Sequence, residues 1–284
     1  MLQRCAFQHG TFGGEAGDAE GKDISMTSRL NRRYGWRPQL PDHRDRVFRP
    51  AIVAPTPTAD LRALFPAPYD QGQLGSCTAN AISGAIQCDM ARQKLEDFMP
   101  SRLFIYYNER AMEGTIDQDA GANIRDGIKS INVQGVCPET EWPYDESRFA
   151  DRPPANCYAD ATKARSLRYQ SVDQDLALIK ASLAQQLPVV IGFTVYESFE
   201  SDAVAANGVV PMPANSEKVL GGHAVDIAGV NDTTAPWSGI PPQYFLMRNS
   251  WGTGWGVSGY FFMPFAYVLN QELADDFWVI QSMA

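Results

Sequence analysis

The sequence predicts an α+β fold built in two lobes, and three observations predict it. Helix-forming segments with a 3.6-residue apolar repeat crowd the first half of the chain. Short strand-like runs separated by turn clusters fill the last hundred residues. Helices first and strands second argue against a doubly wound sheet, which would alternate them. At 284 residues, 44% hydrophobic and 20% charged, the chain has ordinary globular composition and room for one large domain or two lobes.

Each element has its own signal. Residues 1–30 are rich in Gly, Asp and Ser without periodicity and read as a mobile tail. Residues 31–58 carry a cluster of arginines and several prolines; the prolines disfavour helix and ladder alike and predict an extended arm. Tyr34, Trp36, Val47 and Phe48 give that arm apolar anchors. From 76 to 94 a helix is expected, with Ser76 as its N-cap and Ala79, Ile82, Ile86 and Met90 on one stripe. Its other side holds the small residues Ala81, Gly84, Ala85 and Cys88, so it should be buried nearly all round. Further helices are expected over 101–112, 124–131 and 173–186, and Pro188 then hands over to a buried strand, 189–195. Strands follow at 224–230, 244–248, 259–263 and 277–281. The domain reading is a tail and arm, 1–55, then one domain, 56–284. Within it a helical lobe (about 70–165) faces a β-rich lobe (about 166–284 plus 56–68), with a cleft between them.

Composition excludes several function classes. The net charge of −9 and pI near 4.9 repel a phosphate backbone, so no nucleic-acid partner is expected. No apolar run approaches the ~18 residues of a membrane span, so no membrane partner is expected either. Residues 1–21 lack the apolar stretch of a secretory signal, and the compartment is left open. Five cysteines without a C-x-x-C pair, and three histidines at 9, 43 and 223, give no zinc pattern. No metal or organic cofactor is expected. Cys137 and Cys157 bracket a Pro- and Trp-containing loop as either a disulfide or two free thiols, while Cys88 reads as core and Cys5 as part of the tail.

Three segments carry chemistry: YDQGQLGSCTANA (69–81), LGGHAV (220–225) and MRNSWGTGWGVSGYF (247–261). Cys77 opens the buried helix, where unpaired N–H groups favour thiolate over thiol. A single buried cysteine is more often a small apolar filler, and a single histidine opening an apolar strand, as His223 does, is more often core than catalyst. The run Asn-Ser-Trp-Gly-x-Gly-Trp-Gly reads as a tightly shaped loop, or as a structural turn over the core.

Taken together and in order, the three segments resemble the papain-like cysteine peptidases, from about residue 60 to 265. The nearest likeness is to their short-propeptide bacterial branch, of the xylellain type. The family order Gln, Cys, His, Asn appears as Gln71, Cys77, His223 and Asn249. Cys77 and His223 stand 146 residues apart, and Asn249 follows 172 after Cys77; partners about 130–150 residues downstream are usual, and the loop 231–242 absorbs the excess. The resemblance implies a papain-like fold, with a helical lobe and a β-barrel-like lobe around the active-site cleft. It implies peptide-bond hydrolysis by a Cys77 thiolate paired with His223, which Asn249 orients, through an acyl-enzyme. Gln71 and the Cys77 N–H would form the oxyanion hole, and Trp251 would cover the His–Asn bond. Gly121, Ala122, Gly222 and Trp251 would line the substrate. Peptides or proteins are the implied substrates, and the enzyme is expected to be a monomer. The arm would be a short propeptide, an intramolecular inhibitor lying across the cleft; a permanent strut on the lobe surface is the other reading.

The sequence also departs from the family. Leu74 stands where a disulfide cysteine is frequent, and its partner segment 114–124 lacks one too. Thr78 replaces the aromatic residue after the nucleophile, and Gly222 replaces an Asp or Asn before the histidine. A catalytically silent papain-fold binding protein, and an amidase or transpeptidase on the same site, are the alternatives.

Overall fold

The structure is a computed structural model. It describes residues 32–50, 56–164, 167–233, 237 and 239–282, so the tail expected over 1–30 lies outside the described residues. In chain order the elements are β1 (Thr58–Asp60), α1 (Cys77–Gln93), α2 (Arg102–Glu113), α3 (Ile124–Gln134), α4 (Ala155–Ala161), β2 (Leu167–Ser171), α5 (Leu176–Ala184), β3 (Val189–Tyr196), α6 (Asp202–Asn207), β4 (Val219–Asn231), β5 (Tyr244–Arg248), β6 (Tyr260–Pro264), α7 (Phe265–Val268) and β7 (Ala274–Ser282).

Every residue of α1 from Cys77 to Met90 is buried. Its small face is what lets it close on the sheet. At Gly84 even a methyl group would press on the Arg248 guanidinium and the Asp226 carboxylate, which form a fully buried pair at 3.8 Å on β5 and β4. Ser76 does stand at the N-cap position, but its side chain caps nothing. Its hydroxyl meets Tyr144 Oη at 2.5 Å and accepts from Asn80 Nδ2 at 3.1 Å. The cap of α2 follows the usual rule, with Ser101 Oγ accepting from the Phe104 N–H at 3.2 Å and Gly114 ending the helix at φ 72°. The helix expected over 173–186 is shorter, because the Asp175 carboxylate accepts from the Leu178 N–H at 3.0 Å and so sets its start.

The strands pair antiparallel in the order β2-β7-β3-β4-β5-β6, with β1 beside the far end of β4. The path is open. The β-barrel-like expectation is therefore corrected to an open sheet: closing a barrel needs its end strands to pair, and among the described residues the end strands β2 and β6 do not pair with each other, β2 lying beside β7 and β6 beside β5. Register shifts at 190/192, 195/196 and 227/229 supply bends of the kind bulges make. One apolar core fills the space between the sheet, α5 and the Trp251–Trp255 loop; a second lies between α1, α2, α3 and the other face of the sheet.

The arm is extended apart from one turn, closed by the Asp45 N–H donating to Asp42 O at 3.0 Å. Trp36 makes a parallel bridge with Ala122, and Val47 one with Ser171. Trp36 and Phe48 are 6% and 5% exposed, so both anchors hold the arm against the domain.

Candidate active site

Cys77 begins α1, His223 lies on β4, and Asn249 follows β5 directly. All three are buried. The paired strands β4 and β5 bring the last two together, with His223 Nε2 2.9 Å from Asn249 Oδ1. That oxygen also accepts from the Ser250 N–H at 2.8 Å, which fixes which end of the amide faces the ring. The ring nitrogen facing an oxygen acceptor must carry the hydrogen. Nδ1 is then the lone-pair nitrogen, and it is buried without a hydrogen-bond partner among the described residues. Trp251 stacks on the imidazole at 4.9 Å and 25° and shields the His–Asn bond.

Cys77 faces the same place from α1. Its sulfur lies within reach of the backbone N–H groups of Ala224, the residue after His223, of Gly35 on the arm, and of Thr78. Gln71 is brought in by its own backbone, whose N–H donates to Ser250 O at 2.9 Å. Ser250 Oγ donates to Gln71 Oε1 at 2.6 Å, so the amide nitrogen is turned away from that bond. Gln71 Nε2 donates to Leu74 O at 2.8 Å and lies 3.4 Å from the arm carbonyl of Arg33.

The arm fills the groove over these groups. Tyr34 makes edge contacts with His223 and Trp251 and bonds Glu200 through its hydroxyl, while the Arg32 guanidinium sits 3.8 Å from the Trp251 ring centre. The Ala122 N–H donates to Gly35 O at 2.7 Å, the Trp36 N–H to Gly222 O at 2.9 Å, and the Arg37 N–H to Ala122 O at 3.2 Å. Gly121 holds φ 68°, and any side chain there would overlap Gly35. The four residues expected to line the groove thus all lie along the arm's path. Covered in this way, neither Cys77 nor His223 favours its charged form: burial pushes the Cys77 thiol up to about 11 and the His223 imidazole down to about 4.

Sequence reasoning missed Tyr34's position over the imidazole, Ser250 and Asp276. Ser250 carried a weak signal, being next to Asn249. Asp276, whose Oδ2 accepts from Trp36 Nε1 at 2.9 Å, carried none beyond its place between strand-like residues. Among the described residues, the group that could offer ligand atoms to a metal is Cys137, Glu141 and Cys157, whose donor atoms lie within 4.8 Å of one another. Both cysteines are free, buried thiols in mutual hydrogen-bonding contact, so the bridge weighed for them is not formed in this structure.

A cysteine opening a buried helix, its sulfur against the backbone of the residue that follows a strand histidine, and an asparagine bonded to that histidine, under a two-lobe α+β frame, define a class of thiol peptidase. The chain belongs to the papain family of cysteine proteases, whose family model matches residues 58–272, and it is thereby a hydrolase. It is 40% identical over 287 residues to the uncharacterized peptidase C1-like protein L477 of Acanthamoeba polyphaga mimivirus, covering 90% of this chain and 89% of that protein. It is similar to the crystal structure of xylellain, a cysteine protease from Xylella fastidiosa, at 41% identity and a TM-score of 0.81, covering 89% of this chain and 97% of that one. The fold is shared with digestive procathepsin L 3 of Tenebrio molitor at 18% identity and a TM-score of 0.63, over 90% of this chain and 77% of that one.

Proposed function

We propose that the chain hydrolyses peptide bonds through an acyl-enzyme on Cys77 and is held inactive by residues 32–37 of its own arm. With the arm withdrawn, His223 Nδ1 takes the thiol proton and the sulfur attacks the scissile carbonyl carbon. The oxyanion is held by the Gln71 amide and the Cys77 N–H. As the C–N bond breaks, the Nδ1 proton passes to the leaving amine. A water then gives its proton to Nδ1 and its oxygen to the thioester carbon, and the C–S bond breaks to release the acid. Asn249 keeps Nε2 protonated throughout, so that Nδ1 is free to cycle.

The single observation that carries this reading is the orientation of the imidazole: Asn249 Oδ1 on Nε2, and Nδ1 buried without a hydrogen-bond partner among the described residues. Inhibition is supported by the arm's hydrogen bonds to Gly222 and Ala122 and by the burial of both reacting groups beneath it. A chain beginning at Thr56 should cleave a fluorogenic dipeptide substrate far faster than the full chain. Equal rates would leave the arm a strut. Failure of a thiol-directed epoxide to label Cys77 in either chain would remove the peptidase mechanism itself.

A further inference from the structure

Away from the cleft, three side chains able to ligate a metal converge. Cys137, Glu141 and Cys157 bring two sulfurs and a carboxylate oxygen within 4.8 Å of one another. Local backbone builds the arrangement. The Glu141 N–H donates to Pro138 O at 3.0 Å, a tight turn that folds Glu141 back beside Cys137. Cys157 comes from α4, and its sulfur lies 3.8 Å from the Glu141 carbonyl oxygen. Both cysteines are free and fully buried, while Glu141 is the member that reaches the surface. Glu141 Oε2 is nonetheless shielded from water and has no hydrogen-bond partner among the described residues. A shielded carboxylate oxygen without a partner is costly, and the usual remedies are a hydrogen-bond donor or a metal ion. The spacing C-x3-E-x15-C lies outside the cysteine–histidine patterns by which zinc sites are read from sequence.

We propose that Cys137, Glu141 and Cys157 form a binding site for a zinc ion. Two thiolates select a borderline-soft cation over Mg²⁺ and Ca²⁺, which take oxygen ligands. A tetrahedral zinc, with Zn–S near 2.3 Å and Zn–O near 2.1 Å, sets its ligands about 3.6–3.8 Å apart. The three donor atoms therefore need to close by no more than about 1 Å. Water, entering from the side of Glu141, completes the four ligands. On binding, the two S–H bonds break and their protons leave to the buffer. Two Zn–S bonds and one Zn–O bond form, and nothing is oxidised or reduced. The ion ties the turn after Cys137 to α4, and so closes the loop between them. That loop braces the segment carrying Gln71: the Tyr144 hydroxyl donates to Gln71 O at 2.9 Å, and Glu146 Oε2 accepts from the Gln73 N–H at 2.8 Å. A disulfide would use the same two sulfurs, so ion and bridge exclude each other.

The full-length chain carrying Cys5→Ser and Cys77→Ala, reduced and stripped of metal, tests the site apart from any peptidase activity. Co²⁺, the optical probe, should bind one ion per chain with thiolate-to-cobalt charge-transfer absorption, and Zn²⁺ should displace it. Zn²⁺ should also raise the melting temperature and slow hydrogen exchange over residues 139–149. Glu141→Gln and Cys157→Ser should each weaken Zn²⁺ binding by at least about 10- to 100-fold, since even the loss of an outer-shell partner costs that much. Glu141→Gln alters the partly exposed member, so the test does not depend on a core cysteine variant folding. The same chain with Cys137 and Cys157 joined by oxidation should bind neither ion. Absence of saturable binding, a cobalt spectrum without the sulfur bands, or a Zn²⁺ affinity left unmoved by Glu141→Gln or by oxidation overturns the assignment.

Discussion

Beneath the arm, burial should make the Cys77 sulfur a poor nucleophile. Burial pushes its pKa from the ordinary 9.0 to about 11. At pH 7 that leaves about one thiol in 10⁴ ionised, against about one in 10² for an ordinary thiol. The partner that could rescue it is also suppressed, since His223 is pushed down to about 4 and stays neutral. The assay is site-resolved alkylation by iodoacetamide, with Cys77 followed by peptide mass spectrometry. In the full-length chain Cys77 should react at pH 7 at least about 100-fold more slowly than an ordinary peptide thiol, and the rate should climb about tenfold per pH unit toward pH 10. A chain beginning at Thr56 should react quickly, with little pH dependence from about pH 5 upward. Rapid alkylation of the full-length chain at pH 6–7, matching or exceeding an ordinary thiol, would refute the reasoning, because it would mean that a thiolate–imidazolium pair persists under the arm.

Other expectations follow from single residues. Gln71→Ala removes one oxyanion donor and should lower kcat by about 10²–10³, from about 2.7–4 kcal/mol of lost transition-state stabilisation, in steady-state assays of the arm-free chain. Glu109 is fully buried, accepts from Thr78 Oγ1 at 2.6 Å, and is pushed by burial from 4.5 up to about 8. The fold therefore favours its protonated form: that stabilisation is complete below about 4.5 and drains away as pH rises through about 8, a swing of about 3–5 kcal/mol. Urea midpoints at pH 5 and pH 9 should show the parent losing ground to Glu109→Gln at the higher pH, and a constant difference would contradict this. Oxidation by glutathione disulfide should remove two thiols by bridging Cys137 and Cys157, which stand 20 residues apart, and raise stability by about 3 kcal/mol. An unchanged count of free thiols after denaturation would leave the pair reduced.

Much of this was legible in the chain. The 3.6-residue stripe and small face of 76–94 are enough to bury α1 all round, because only small residues let a helix pack on every side. The order of Gln71, Cys77, His223 and Asn249 was likewise legible, since each sits in a motif whose spacing constrains the backbone. The missing parts have physical reasons. Strand β2 had no signal, because its five residues, LRYQS, alternate weakly and are made a strand by pairing with β7. The sheet's failure to close was unreadable, because strand partners are set by long-range pairing that no residue type announces. The side-chain cap expected of Ser76 failed because Tyr144 and Asn80, distant or local, compete for the same hydroxyl. Asp276 was unreadable for a similar reason: its importance comes from an indole 240 residues away.

The acyl group itself is the most direct witness. A slowly deacylating ester substrate, mixed with arm-free chain and quenched in acid, should leave a mass addition confined to the peptide that carries Cys77. The adduct should form at least about 10²-fold more slowly in His223→Ala, which lacks the base that takes the thiol proton. Product released with no adduct at any time point, or an adduct on some other side chain, would contradict the account.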